Sequence, residues 1–390
     1  MDALNLSPGS LCRVTPTTAT LRHLALLMSA LLSLGCTPSH FDPVAWNPPP
    51  SPGFSGPFED TLNLAPIQLL PLIDGHGPET IVAGPEGWLY TGIKDGRILR
   101  FKADGSEMEI FADTGGRVNG MAFDADDNLI AVDSYKGLLA IDKSGTVEVL
   151  TSGADGQRFV FPDGVDVAAD GTIWFTDATA RYPDGEIHYE ILEGRPSGRL
   201  LTYDPATEIT QVRVAELRFP NGIALGPGHE YVLINEMLAY RTLRHWITGP
   251  KAGLTEVFIE SYPGWPDDIR FNGDGTFWVS LVMERLAMAD WIQPHPQLKT
   301  FIANTIGWAM PDSDTLWLGG PAFLIGVDLE GNVVHSLRDE SSRYLSSTST
   351  LEHNGQLFIG SISMSSVAVV PLPRSRNEQA DRNFKRRPRS

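Results

Sequence analysis

The sequence predicts an all-β protein, a six-bladed β-propeller with a short insertion or cap. Three observations lead there. One pattern recurs along the chain: a polar residue, a short apolar stretch, a Gly/Asp/Asn turn, then an alternating, aromatic-rich strand. Its copies are spaced by 40, 44, 58, 46 and 80 residues, a period at which hairpin-built units stack into a ring because none can bury its faces alone. The composition agrees: 38 Gly and 29 Pro in 390 residues make a turn-rich chain, yet too few and too unperiodic for collagen or wholesale disorder. No heptad run supports a coiled coil.

From the N-terminus, residues 1–36 read as an export segment. Arg22 and His23 precede an apolar run from Leu24 to Gly35, about as long as a signal-peptide core and short for a membrane span. Leu34-Gly35-Cys36 resembles a bacterial lipoprotein cleavage box with Cys36 as the lipidated residue, although Ser33 stands where that box usually has Leu. An ordinary signal peptide or short anchor is the alternative. The expected location is outside the cytoplasm, periplasmic or membrane-anchored as a bacterial lipoprotein, with membrane contact only through the N-terminus. Residues 37–60 are Pro-rich and polar, and read as a semi-extended tether. The two cysteines, Cys12 and Cys36, both precede the folded part, so no disulfide or cysteine metal site is available to it.

Residues 61–372 are read as the propeller. Its repeats open at Glu79, Asn119, Asp163, Asn221 and Asp267, with a weaker copy over 347–362. Asp126-Asp127-Asn128, Asp170-Gly171 and Asp274-Gly275 supply hairpin turns. Stretches such as Gly198–Asp204 and Leu324–Asp328 supply the outer part of a blade. The 58-residue gap holds an extra loop from Arg181 to Arg195. The 80-residue gap holds 284–316, where Met-Ala-Asp-Trp-Ile-Gln has helical order; it reads as a cap or an irregular seventh unit, and six blades with an insertion is preferred. The segment Ile67–Leu70 is expected to close the ring against the last blade. Residues 373–390 read as a basic, disordered tail. The tail from Arg374 carries a net +5 and the remainder −23, for a total of −18, which argues against nucleic acid as a partner.

In a propeller the innermost strands line a central channel, so residues at one repeat phase form one ring. The repeat openers then set three carboxylates and two amides around a single axis. Such a cluster needs a cation. All donors are oxygens, which suits Ca²⁺ ahead of Mg²⁺ or Mn²⁺, and the absence of His and Cys at this phase disfavours zinc. Taken singly, each opener reads first as a turn or strand-start residue bonded to its own backbone, and only the set of four or five at one phase points to a metal; Asn119 is the weakest member. Trp88, Trp174, Trp265, Trp278 and Trp317 read as blade-packing residues.

Residues 78 to about 372 resemble the strictosidine synthase-like family, which includes adipocyte plasma membrane-associated protein. The likeness rests on Gly77-Pro78-Glu79, Asp133–Leu138, Leu192-Glu193-Gly194, Gly198–Leu201, Arg218–Gly222, Pro263–Arg270 and Glu352–Ser361. That family lies within a wider superfamily of six-bladed propellers containing gluconolactonase, regucalcin and paraoxonase. The resemblance implies a divalent cation, usually calcium, at the channel mouth. Its ligands fall on Glu79, Asp163, Asn221 and Asp267. Asp163 and Asp268 stand where relatives have Asn. Asn119 stands where paraoxonases have a His. Thr348 takes the place of the Glu with which plant strictosidine synthases condense their substrates, and Glu352 is the nearest carboxylate.

The chemistry expected is metal-assisted hydrolysis of a small-molecule ester or lactone. The cation would hold the carbonyl oxygen, Asp267 would act as the general base, and Glu79, Asp163 and Asn221 would mainly hold the metal. His76 and His188 read as loop histidines, with the loop around His188 a candidate pocket wall. A non-enzymatic binding propeller with a structural cation, and a condensing enzyme of a natural-product pathway, are the alternatives.

Overall fold

Each repeat folds into one four-stranded antiparallel sheet, and six such sheets follow one another round an axis. The computed structural model describes residues 38–59, 62–64, 66–307, 310 and 320–373. The inner strands are Ile81–Ala83, Val118–Phe123, Pro162–Val167, Pro220–Leu225, Gly264–Phe271 and Ser347–His353. The fourth strands of blades 1 to 5 are Glu109–Asp113, Val147–Thr151, Ile209–Leu217, Thr255–Ile259 and Val333–Arg338. Blade 6 takes its fourth strand from the other end of the chain: Gln68–Pro71 pairs antiparallel with Ser366–Pro371, Gln68 opposite Val369. The expected closure is therefore present. The short strand Leu62–Asn63 also adds, in parallel, to the edge of blade 5.

Alternating inward residues explain why the blades hold together. One apolar cluster fills each of the six gaps between neighbouring blades. Leu99 and Phe101 of blade 1 meet Phe358 and Val367 of blade 6. Leu129 and Leu139 of blade 2 meet Val82 and Tyr90 of blade 1. Leu233 of blade 4 meets Val279 and Phe323 of blade 5. Two further clusters lie at one end of the ring. Phe161, Phe219, Met237 and Ile362 surround the mouth of the channel. Tyr182, Tyr189, Leu192 and Ala303 form the core of a helical cap.

Among the described residues the cap contains three helices, α1 (Ile187–Glu193), α2 (Ala287–Ile292) and α3 (Pro296–Ile306). α1 comes from the extra loop of blade 3; α2 and α3 come from the insertion of blade 5. The Pro-rich stretch expected to be a spacer instead lies on the propeller. Val44 N donates to Glu193 O (3.1 Å), Trp46 Nε1 to Gln293 Oε1 (2.9 Å), and Phe58 is buried against Tyr262. The aromatic residues at 41, 46, 54 and 58 account for this, because each has an apolar face to bury. The export segment and most of the basic tail lie outside the described residues, as do Cys36 and Trp317.

Candidate functional site

A β-bulge re-aims one residue of each inner strand from blade 2 to blade 6. The register breaks between Val118 and Gly120, Pro162 and Val165, Pro220 and Ile223, Pro266 and Ile269, and Ser347 and Thr350. Asn119, Asp163, Asn221, Asp267 and Thr348 sit inside those breaks, where the bulge turns the strand. In blades 2 to 4 the next residue is Gly, for a steric reason. A Cβ on Gly164 would lie 2.6 Å from Asn221 O, and one on Gly120 or Gly222 would run into the backbone of Asp163 or Asp268. Each Asp/Asn-Gly step thus seats a polar residue on the axis and lets the next blade close on it. Glu79 completes the circle just before the first inner strand, held by its N–H to Gly92 O (3.1 Å).

Glu79, Asp163, Asn221 and Asp267 are brought together. These four, and no others among the described residues, line both of the narrow cavities on the axis, one towards the mouth and one below. The mouth cavity adds Arg117, Phe161, Phe219, Ile187, Met237 and Ile362. The lower cavity adds Asn119, Thr348, Asp268 and the backbone of the Gly steps. His76 and His188 line neither.

The electrostatics follow from burial. Burial raises the Glu79 carboxyl above its usual range, against the opposing pull of Arg117. Asp163 and Asp267 are each 6% exposed. Burial and the neighbouring acids push both well above the ordinary Asp value. Asp268 is pushed up to about 6 by burial, moderated by Arg270. Among the described residues, neither the Asp163 nor the Asp267 carboxylate has a hydrogen-bond or ion-pair partner. Such groups are costly to bury alone. The donor set, three carboxylates and an amide, fits a hard divalent cation. As the side chains stand, no three Asp, Glu, His or Cys among the described residues form a closed metal cluster.

Three residues have roles that the repeat pattern did not show. Arg117 is buried at the mouth, its Nη2 3.3 Å from Glu79 Oε2 and its Nη1 2.5 Å from Asp184 Oδ1. Burial disfavours the guanidinium charge, but the two carboxylates more than restore it. Asp184 comes from the loop before α1. Ile187, in α1, reaches the mouth cavity. Arg117, Phe161 and Phe219 each precede a ring residue by two and stand just before the start of an inner strand, at the mouth.

Other openers have structural duties. Asn119 Nδ2 donates to Ser134 Oγ and Pro162 O, both at 2.7 Å, while its Oδ1 has no partner among the described residues. Thr348 Oγ1 donates to Glu79 O at 2.5 Å, tying the last blade to the first. Glu352 accepts from Trp278 Nε1 (2.7 Å) and Asn272 Nδ2 (2.9 Å), which joins blades 5 and 6.

Fold and site together define a six-bladed propeller with a ring of acids and an amide on its axis. Known proteins of this architecture narrow the class. A strictosidine synthase profile matches residues 163–250, and a strictosidine synthase-like N-terminal profile matches 56–101. The chain is 33% identical over 303 residues to Arabidopsis thaliana protein strictosidine synthase-like 6, covering 76% of this chain and 79% of that one. It is 30% identical over 360 residues to bovine (Bos taurus) adipocyte plasma membrane-associated protein, covering 86% and 85%. The chain belongs to the strictosidine synthase-like family. In fold it is similar to a gluconolactonase from Xanthomonas campestris, with a TM-score of 0.57, 18% identity, and coverage of 85% and 97%. The same holds for a regucalcin, a calcium-binding protein from Agrobacterium tumefaciens, with a TM-score of 0.51, 13% identity, and coverage of 77% and 90%.

Proposed function

We propose that the protein is a divalent-cation-dependent hydrolase of lactones or aryl esters, with calcium as its cation. One observation carries the reading: the carboxylates of Asp163 and Asp267 are buried on the channel axis, beside Glu79, with no partner among the described residues. Three acids in one buried site call for more positive charge than Arg117 brings. A bound cation would polarise a substrate carbonyl and stabilise the charge that develops on its oxygen. Glu79, Asp163 and Asn221 would hold it. Asp267 would take the proton of the attacking water. Phe161, Phe219, Ile187, Met237 and Ile362 give the mouth an apolar wall that accepts the non-reacting part of a substrate and limits bulk water at the ring. Two neighbours in fold carry names that accord with this reading, a gluconolactonase and a calcium-binding regucalcin. Condensation of the strictosidine synthase type is disfavoured, because Thr348 spends its hydroxyl on Glu79 O.

A second reading has support of its own. Arg117 already supplies a cation beside Glu79, which suits a binding propeller in which a divalent ion only stabilises the fold. We further propose that the chain works outside the cytoplasm, held at a membrane by its N-terminal segment. Among the described residues no helix is long and apolar enough to cross a membrane, and the bovine relative's name, plasma membrane-associated, accords with this placement.

The test uses the full chain stripped with chelator, with melting temperature and turnover of phenyl acetate and small lactones followed as Ca²⁺ is restored. The expected result is a Ca²⁺-dependent rise in melting temperature and turnover that Asp267→Asn abolishes. A rise without turnover favours the second reading. Indifference to every divalent cation sinks the metal reading.

A further inference from the structure

The channel mouth is narrow as it stands. Its cavity has room for little more than a water molecule. Of the ten described residues that line it, Ile187 alone comes from an insertion; the others belong to the blades and their connections. Ile187 is 1% exposed and packs with Phe161 and Phe219. It heads α1, and residues 183–186 lead into it. The root of this loop is fixed twice: Thr179 Oγ1 donates to Glu190 Oε2 (2.6 Å), and Arg181 Nε to Glu193 Oε2 (2.7 Å). Tyr182 is buried and stacks on Tyr189, with 6.0 Å between the rings. The tip is bare by comparison. Pro183 is exposed, Gly185 holds φ at 90°, and a Cβ added there would meet nothing within 4 Å. No side chain caps the start of α1.

Asp184 fastens the tip. From the loop of blade 3 it reaches over to blade 2, where Arg117 Nη1 lies 2.5 Å from its Oδ1 and Tyr135 Oη donates to its Oδ2 (3.0 Å). Tyr135 is 58% exposed, so burial does not account for its position; its N–H is held by Asp133 Oδ1 (2.9 Å). Arg117 is at the same time paired with Glu79. The tip of the loop and the ring therefore share one guanidinium.

We propose that residues 183–187 are a lid over the channel mouth, latched to blade 2 through Asp184, and that the structure is its closed state. A molecule larger than water reaches Glu79, Asp163, Asn221 and Asp267 only when the latch opens. Opening breaks the contacts of Asp184 with Arg117 and Tyr135. It swings the uncapped first turn of α1, with Ile187, away from Phe161 and Phe219. Gly185 absorbs the change in backbone angle while the root stays fixed. The lid is independent of the chemistry at the ring: it governs entry for the substrate of a hydrolase and for the ligand of a binding propeller alike.

The test is thiol labelling of the full chain, with Cys12 and Cys36 replaced by Ser. Met237→Cys sets a thiol inside the mouth, where Met237 is 1% exposed. Its modification by methyl methanethiosulfonate, neutral and no larger than a small ester, is timed without cation or substrate. Asp184→Asn should raise the rate at least about tenfold, because a hydrogen bond to a charged group holds the closed form by that factor or more. Tyr135→Phe, a change at the surface, should raise it severalfold, and carries the test if Asp184→Asn does not fold. Ala131→Cys, buried between blades 1 and 2, is the control and should stay protected in every variant. Equal rates with and without the latch overturn the proposal. So does a thiol at 237 that reacts as fast as an exposed one before the latch is touched. So does a rise matched at Ala131→Cys, which would mean that the whole molecule loosens.

Discussion

Arg117 sets the charge of the ring. It is the only cation among the described residues that line the two axial cavities, and it is shared between Glu79 and Asp184. Removing one member of a buried ion-paired set leaves the others uncompensated, at a cost of about 3–5 kcal/mol. Arg117→Met should therefore lower stability by roughly that amount in chelator. If the acids then take up a divalent cation, the variant should gain more melting temperature from Ca²⁺ than the wild type does. Calorimetric melts with and without Ca²⁺ measure both effects, and an equal Ca²⁺ gain in the two proteins would show that Arg117 and the cation do not share a site. The ring was legible because repeats convert sequence phase into position around an axis, and the family resemblance set Glu79, Asp163, Asn221 and Asp267 apart from Asn119. Arg117 was not, because the other blades put Phe161, Phe219 and Trp265 at its phase, and a lone charge among aromatics carries no periodic signal.

Among the elements, α1 was the least legible. It was read as part of a loop, since seven residues make barely two turns and no side chain caps its start. What ends it is plainer: Gly194 adopts the left-handed conformation at φ 66°, and its N–H bonds to Glu190 O. The helix is held by tertiary contacts, and they bury Glu190, which accepts from Thr179 Oγ1 at 2.6 Å. Burial raises the Glu190 carboxyl to about 8, from 4.5. A carboxyl whose folded pKa is raised favours folding while protonated, so its contribution is complete below about 4.5 and lost as pH climbs through about 8. Glu190→Gln should flatten that part of the stability–pH curve, a change on the order of a few kcal/mol across the window. Urea melts at pH 5 and pH 8 compare the two proteins; parallel losses in both would assign the slope to other acids. The helical order of α2, by contrast, was visible in its Met-Ala-Asp-Trp-Ile-Gln run.

At the scale of the molecule, the ring depends on its clasp. Gln68–Pro71 completes blade 6, and the segment before it buries Leu64 and Ile67 against blades 5 and 6. Leu70 is buried between blades 6 and 1. Each buried Leu or Ile contributes about 2–5 kcal/mol, so three of them match a typical total stability of about 5–15 kcal/mol. A chain beginning at residue 72 should be insoluble or unfolded, because it also exposes the edge of Ser366–Pro371. Soluble expression and circular dichroism of that truncation decide the matter, and a native-like melt would show that five and three-quarter blades suffice. The clasp was foreseeable from the apolar stretch at 67–70, which precedes the first repeat and has no partner of its own. The packing of the Pro-rich segment was not foreseeable, because its aromatic residues follow no period.

The glycine beside each ring residue in blades 2 to 4 has a wider consequence. Backbone fit between blades is assigned to one position and axial chemistry to the position before it. At Asp163, whose side chain makes no bond to a neighbouring blade among the described residues, a change of side chain therefore alters what the ring can bind without disturbing how the blades interlock. The ring as it stands already carries acids, amides and a hydroxyl at equivalent positions of successive blades. Folds that separate assembly from reactivity in this way can diversify by single substitutions, and an axial acid can be gained or lost without first having to rebuild a core.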